Sequence, residues 1–258
     1  MQGQLERVQG FAEAAMCAAS FCELETVMAD AARANGADYY LMTHHGNFQH
    51  RQRGLVYVSN YPREFVEKNR MAGALSHDPI VEACERTLTG FFWADVGTII
   101  PMTTRHQERL KEVVTSGLAD GFVVPAHIPG ENLGSCHFAA EAGKELPREN
   151  AAAYQSLALF GFEAARRLTR EINGDLAGYP RLTDRQRECL IHSARGKSDT
   201  VIGQLLGLSP KTVNSYMEAA KTRYGVATRA QLIASALCAS EITYLEVIDV
   251  RERTITSG

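Results

Sequence analysis

Residues 180–238 constrain this chain more than any other stretch: four short amphipathic segments separated by glycines, each with its own start and stop signals. Thr183 reads as an N-cap, and Gln186 three residues later completes the pattern of a capping box. That segment stops at Gly196. A second opens at Ser198 or Asp199 and is expected to bury Val201, Ile202, Leu205 and Leu206. Gly207 supplies a tight turn, Ser209 the next N-cap and Pro210 the first helical position. The helix from Pro210 to about Tyr224 ends at Gly225 and sets Val213, Met217, Ala220 and Tyr224 on one face. A helix-turn-helix of this size is the arrangement that lays its second helix in the DNA major groove. The DNA-facing candidates are Lys197, Ser198, Ser209, Lys211, Thr212, Asn214, Ser215 and Lys221. Asn and Lys reach base edges, and Ser, Thr and Lys hold phosphates. A generic helical core with a polar outer face carries the same bare pattern.

The span Leu182 to Leu237 resembles the LuxR-type helix-turn-helix, the four-helix DNA-binding module of bacterial regulators. The resemblance rests on Leu182-Thr183, Arg185, Arg187-Glu188, Leu190, Ala194, Gly196-Lys197, Ile202, Leu206-Gly207, Ser209, Thr212-Val213, Gly225-Val226, Arg229 and Ala230. The departures are Gln186 for the usual Glu, Val201 for an acidic residue, and Asn214 and Tyr216 for Lys and His. The last two remove positive charge from the reading helix.

Charge follows the same division. Residues 176–240 carry nine Lys/Arg against four Asp/Glu, whereas residues 1–175 carry sixteen against twenty-two. The basic excess falls where a phosphate-binding surface needs it, but it is modest, so a homodimer on two half-sites of promoter DNA is expected. Nothing reads as a membrane span or signal peptide, and the six scattered cysteines form no close metal-ligand pair. A reduced, cytoplasmic protein with no membrane partner is the simplest reading.

Before this module the pattern is mixed. Residues 4–35 read as two helices, with stripes at Val8, Phe11, Ala15 and at Leu24, Val27, Met28, Ala31. Strands are expected at 37–43, 55–59, 121–128 and 133–140. Between them, helices are expected from Tyr61-Pro62 to about Met71, from Asp78-Pro79 to near Gly90, and from Thr103 or Thr104 through Leu118. A long helix follows from Pro147 to about Ile172, and 173–181 has the Gly, Pro and Asp of a linker. The expected fold class is α+β: an N-terminal α-β-α sandwich around an antiparallel sheet over 1–172, then an all-α four-helix helix-turn-helix domain over 182–240. The tail, 241–258, alternates enough in ITYLEVIDV to read as a strand. His44-His45 has no carboxylate or third His at ligand spacing, so no metal site is assigned.

A phosphate-receiver input is excluded, since neither its acidic pair nor its phosphorylatable Asp is present. Residues 60–141 instead resemble the autoinducer-binding domain of LuxR-type quorum-sensing regulators, through Asn60-Tyr61-Pro62, Asp78-Pro79, Phe92-Trp93, Gly117-Leu118, Gly121, Pro125 and Leu133-Gly134. The resemblance implies an N-acyl-homoserine lactone, or a related small signal molecule, held between sheet and helices, together with homodimerisation and ligand-dependent promoter binding. It implies Asp78 as acceptor for an amide N–H, Tyr61 as donor to an amide carbonyl and Trp93 as a flat wall over the ring. Phe91, Phe92, Met42, Tyr40, Val123 and Phe138 are candidates for an acyl channel. Three ligand positions depart from the family. Phe65 replaces a Trp that donates to the lactone carbonyl, Asn69 replaces a Tyr, and His137 stands at a hydroxyl position on the sheet floor.

No resident cofactor is expected. No Gly-x-Ser-x-Gly elbow or metal-binding His motif points to an enzyme. The alternatives are a ligand-independent LuxR-type regulator with a degenerate pocket, or a protein-binding module with a degenerate helix-turn-helix.

Overall fold

The structure is a computed structural model that describes residues 2–45, 55–63, 66, 78–128, 131–173 and 180–248. It separates into two compact units, one before and one after the 173–180 region.

The first unit opens with helices α1 (Gln2–Cys17) and α2 (Phe21–Ala34). Ser20 caps α2 by accepting from the Glu23 amide, and Leu24, Met28 and Ala32 recur every fourth residue as its buried face. Strands β1 (Tyr39–His44) and β2 (Tyr57–Ser59) follow. Next come α3 (Pro79–Cys84), β3 (Phe91–Phe92), a 3₁₀ turn (Trp93–Thr98) and α4 (Thr104–Thr115). Strands β4 (Leu118–Ala126) and β5 (Gly134–Glu141) lead to the long helix α5 (Ala151–Asn173). The five strands form one antiparallel sheet in the order β2-β1-β5-β4-β3.

Both faces of the sheet are covered. Helices α1, α2 and α5 pack with Tyr40, Met42, Phe122, Val124, Cys136 and Phe138 on one face. On the other, Tyr61, Ile80, Ala83, Trp93 and Val113 close over Leu41, Val123 and Ala139. Strand β5 is therefore buried along nearly its whole length, which explains its near-continuous apolar sequence. The expected α-β-α sandwich is present.

Several boundaries differ from expectation. The helix expected through Leu118 stops at Thr115. Gly117 turns the chain at φ 94°, and Leu118 already belongs to β4. The helix begun at Asp78-Pro79 ends at Cys84, well before Gly90. Most of the helix expected over 61–71, most of the linker and the tail after residue 248 lie outside the described residues.

The second unit comprises α6 (Asp184–Ala194), α7 (Asp199–Leu206), α8 (Pro210–Tyr224), α9 (Arg229–Cys238) and a single turn, α10 (Tyr244–Val247). The caps act as the sequence indicates: Thr183 with Gln186 as a capping box, Ser198 on the Val201 amide, Ser209 on the Thr212 amide. Gly207 and Gly225 terminate α7 and α8 in the left-handed region at φ 67° and 64°. Gly203 is fixed by packing, since a Cβ there would sit 2.5 Å from the Leu208 carbonyl oxygen across the turn.

The core is Cys189, Leu190, Ile202, Val213, Met217, Ala220, Leu232, Ala236 and Ile242. Two residues expected in it are not: Val201 and Leu205 are 37% and 56% exposed, because α7 turns only its Ile202 side inward. The tail also differs. Residues 244–247 are helical rather than a strand, because Thr243 and Glu246 form a capping box and the described residues of this unit include no strand to pair with. Ile242 anchors this end at 1% exposure. Glu246 pairs with Arg187, and its carbonyl accepts from Arg195 Nε at 2.7 Å.

Candidate functional site

Strand parity divides the candidate acyl-channel residues. Odd positions of β1, β4 and β5 face the α3–α4 layer, so Leu41, His137 and Val123 stand abreast on that face. Tyr40, Met42, Phe92 and Phe138 are even-numbered or continue the even side. They pack in the opposite core with α1, α2 and α5. Those four are plain core and are withdrawn as channel candidates, whereas Phe91 and Val123 remain on the correct face.

On that face lies a cavity of about 110 Å³ that gathers Tyr61, Asp78, Trp93 and His137. These four candidates come from four separate segments and converge only in the fold. Phe65 and Asn69 lie outside the described residues. A larger hollow, about 570 Å³, opens on the opposite side of the sheet between β4, β5 and α5, and none of the four described candidates lines it. The smaller cavity is the one that gathers the described ligand-site candidates, and it combines apolar lining with convergent polar groups.

Asp78 serves two purposes at once. Its Oδ1 accepts from the Ile80 amide at 3.0 Å and caps α3, and Oδ2 accepts from Arg109 Nε at 3.2 Å. Arg109 on α4 also lines the cavity, and its Nη1 bonds Glu112 at 3.3 Å. Tyr61 is 7% exposed, with its ring edge-on to Tyr39 at 6.0 Å, and burial pushes its phenol pKa up. The Trp93 indole lies directly over Gly121, where a Cβ would meet the ring at 2.1 Å. Trp93 is 9% exposed, and its Nε1 has no hydrogen-bond partner among the described residues.

The floor holds a relay that sequence reading missed. His45 Nε2 lies 2.7 Å from Ser135 Oγ, which lies 2.7 Å from His137 Nε2. Burial, reinforced by neighbouring histidines, lowers the His45 pKa to about 4 and that of His137 to about 3, so both rings are neutral at pH 7. The two adjacent histidines, His44 and His45, face opposite ways. His44 Nδ1 accepts from the Val56 amide, and its ring meets Phe162 edge-on. Trp93, His45 and His137 all line the cavity, so an aromatic wall and an imidazole pair face the same space.

In the second unit, Lys211, Ser215, Glu218 and Thr222 fall at helical spacing opposite the buried Val213, Met217 and Ala220. Lys197, Ser198, Ser209, Lys211, Asn214 and Ser215 are exposed, and Thr212 is half-buried. Ser209 Oγ accepts from the Thr212 amide at 3.0 Å, and Ser215 Oγ donates to the Lys211 carbonyl at 3.0 Å. Lys221 is set apart: its side chain is 18% exposed, and Nζ bonds Glu218 and the Ala227 carbonyl. A bidentate pair from Arg229 to Asp199, at 2.6 and 2.8 Å, ties α9 to the first turn of α7. It holds the Asp199 carboxyl below its usual range. This clamp, invisible as a pair in sequence, fixes the turn that presents α8.

Comparison with known proteins agrees with both halves. Residues 22–165 match the family described as "Autoinducer binding domain", and residues 180–236 match "Bacterial regulatory proteins, luxR family". The transcriptional activator protein BjaR1 of Bradyrhizobium diazoefficiens is 26% identical over 62% of this chain and 64% of its own length. The transcriptional activator protein LuxR of Aliivibrio fischeri is 23% identical over 85% of this chain and 88% of its own. Among solved structures, Escherichia coli SdiA superposes with a TM-score of 0.70 at 21% identity, covering 93% of this chain and 97% of that one. A second SdiA structure, in complex with octanoyl-rac-glycerol, gives 0.69 at 19% identity, covering 92% and 94%. These structures share the fold.

Proposed function

The chain belongs to the luxR family of bacterial regulatory proteins that carry an autoinducer-binding domain, and from that premise we propose that it is a homodimeric regulator switched by an N-acyl-homoserine lactone or a closely related acylated signal. It is a transcription regulator rather than an enzyme, as its relatives are. The observation that supports the ligand reading is the convergence of Tyr61, Asp78, Trp93 and His137 on one cavity. In this reading Asp78 accepts the ligand amide N–H, Tyr61 donates to the amide carbonyl, Trp93 covers the ring, and His137 meets the chain from the sheet floor. Phe65 and Asn69 complete the set by family position. SdiA holding octanoyl-rac-glycerol widens the ligand class to acylated heads other than a lactone.

The DNA-binding residues in this reading are Lys197, Ser198, Ser209, Lys211, Thr212, Asn214, Ser215 and Lys221, presented by 182–240 to two half-sites of a promoter. The sensing domain is 1–172, with 173–181 the linker and 241–258 a tail. No helix among the described residues is long and apolar enough to cross a membrane, and we assign the protein to the cytoplasm, where its DNA is. Ligand that binds only the folded state stabilises it by linkage, about 2.7 kcal/mol at a hundredfold excess over Kd.

One observation favours a second reading. At about 110 Å³ the cavity is smaller than the roughly 300–1,000 Å³ of most small-molecule sites, as a ligand-independent regulator would have. A thermal-shift titration of the full-length protein against acyl-homoserine lactones of graded chain length separates the two. A saturable rise in melting temperature for one chain class supports the ligand-gated regulator. No shift with any of them supports the ligand-independent one.

A further inference from the structure

The relay on the cavity floor has a direction. Ser135 is fully buried, and its hydroxyl has no third hydrogen-bond partner among the described residues. Its single proton therefore goes to the Nε2 of one histidine. The other Nε2 has to bring a proton of its own, because two facing lone pairs 2.7 Å apart repel. Both rings are neutral at pH 7, so each carries one N–H. One ring is thus protonated on Nε2 and the other on Nδ1. His45 decides which, since its Nδ1 is buried with no hydrogen-bond partner among the described residues. A nitrogen so placed is less costly as a bare lone pair than as an N–H with nothing to receive it. His45 then donates from Nε2 to Ser135, Ser135 donates to His137 Nε2, and the His137 proton is left on Nδ1.

His137 lines the cavity and is half-buried, and with Nε2 turned to Ser135 its remaining polar atom is Nδ1. Leu41 on β1 and Val123 on β4 stand beside it, so its neighbours across both strands are apolar. An alkyl chain lying there leaves the Nδ1–H unmatched, whereas a carbonyl oxygen satisfies it. We propose that His137 is a fixed neutral donor that selects a ligand with an oxo group on its acyl chain, and that Ser135 and His45 are positioning residues that hold its tautomer. This rests on the ligand reading above, in which Tyr61 takes the amide carbonyl, so the oxo oxygen is a second acceptor farther along the chain. Ser135 is not part of the cavity lining and acts only through the imidazoles.

Two measurements on the full chain test this. The first is imidazole nitrogen NMR of the histidine-labelled protein, with signals assigned from His45→Gln and His137→Gln. His137 is expected to show the Nδ1–H tautomer and His45 the Nε2–H tautomer. An Nε2–H tautomer at His137 overturns the assignment and leaves the ligand reading standing. The second is the dissociation constant for N-octanoyl-, N-(3-oxooctanoyl)- and N-(3-hydroxyoctanoyl)-homoserine lactone. The wild type is expected to bind the oxo ligand about fivefold more tightly than the octanoyl one, the scale of one neutral hydrogen bond. It is also expected to bind it more tightly than the hydroxy ligand, which brings a proton that needs an acceptor of its own. Ser135→Ala reduces the oxo preference to about one, and Ser135→Thr, which keeps the hydroxyl, retains it. A merely structural serine lowers all three affinities together and leaves their ratios unchanged, which overturns the assignment. If Ser135→Ala does not fold, the tautomers of the wild type decide. A wild type that binds the lactones without preferring the oxo chain overturns the assignment alone. A wild type that binds none of them removes the lactone reading and this inference with it.

Discussion

Arg109 Nε stands 3.2 Å from Asp78 Oδ2, an ion pair that joins the middle of one helix to the cap of another at the edge of a single cavity. The two side chains are 17% and 14% exposed, so the pair is poorly solvated. Removing Asp78 takes away the less exposed of the two carboxylates that face the guanidinium and leaves Glu112. Asp78→Ala, which also deletes the α3 cap, is expected to cost about 2–4 kcal/mol. Asp78→Asn keeps a capping side chain and is expected to cost about half as much. The difference in urea midpoints at unchanged m-value measures both.

Gly121→Ala tests the seating of Trp93. The added methyl meets the indole at 2.1 Å, so the ring has to leave its place over β4. A loss of about 1–3 kcal/mol is expected from overpacking, together with the loss of ligand-induced stabilisation. Retention of a full ligand-induced melting shift in this variant contradicts the placement of Trp93 in the site.

The buried histidines set a pH dependence. His45 and His137 have folded pKa values lowered to about 4 and about 3, below the ordinary value of about 6.5. Between those limits the unfolded chain binds more protons than the folded one, so stability rises with pH across this window. It is complete above about pH 6.5 and is lost as the pH falls toward 4, by about 1 kcal/mol per pH unit for each histidine. His137→Gln, which titrates nothing, is expected to flatten part of that slope in denaturation curves between pH 4.5 and 7.

How much of this was legible in the sequence depends on the residue. The caps at Thr183, Ser198 and Ser209 and the stops at Gly207 and Gly225 are local signals, and the structure keeps them. Strand facing was not legible: YYLMT shows no polar–apolar alternation because both faces of β1 are covered, so Tyr40 and Leu41 look alike until the register is known. Val201 and Leu205 are apolar by composition, and only the packing of α7 shows which side is wet. Arg109 and Ser135 gain their roles from partners far away in sequence or across a strand, and nothing local marks them. Tail residues 243–246 carry a capping-box signal that competes with a weak alternation, and with no strand beside them among the described residues the cap wins.

On the DNA side, the reading assigns Lys211 to a phosphate and Asn214 to a base edge. Lys211→Ala is expected to weaken promoter and non-specific binding alike and to reduce the salt-dependence slope by about one. Asn214→Ala is expected to cost about 1–3 kcal/mol on the promoter while sparing non-specific binding. Lys221→Ala is expected to do less than Lys211→Ala, since its ammonium is held by Glu218 and the Ala227 carbonyl. Fluorescence anisotropy over a salt series resolves all three.

The chain has one tryptophan, and it is Trp93, so indole fluorescence reports on the cavity with no competing signal. The most direct measurement is a titration of that emission in the full-length protein with acyl-homoserine lactones of increasing chain length. A ligand-gated regulator predicts a saturable change for one chain class, abolished in Asp78→Ala. An emission unchanged by every lactone, from a protein that remains folded, contradicts the account.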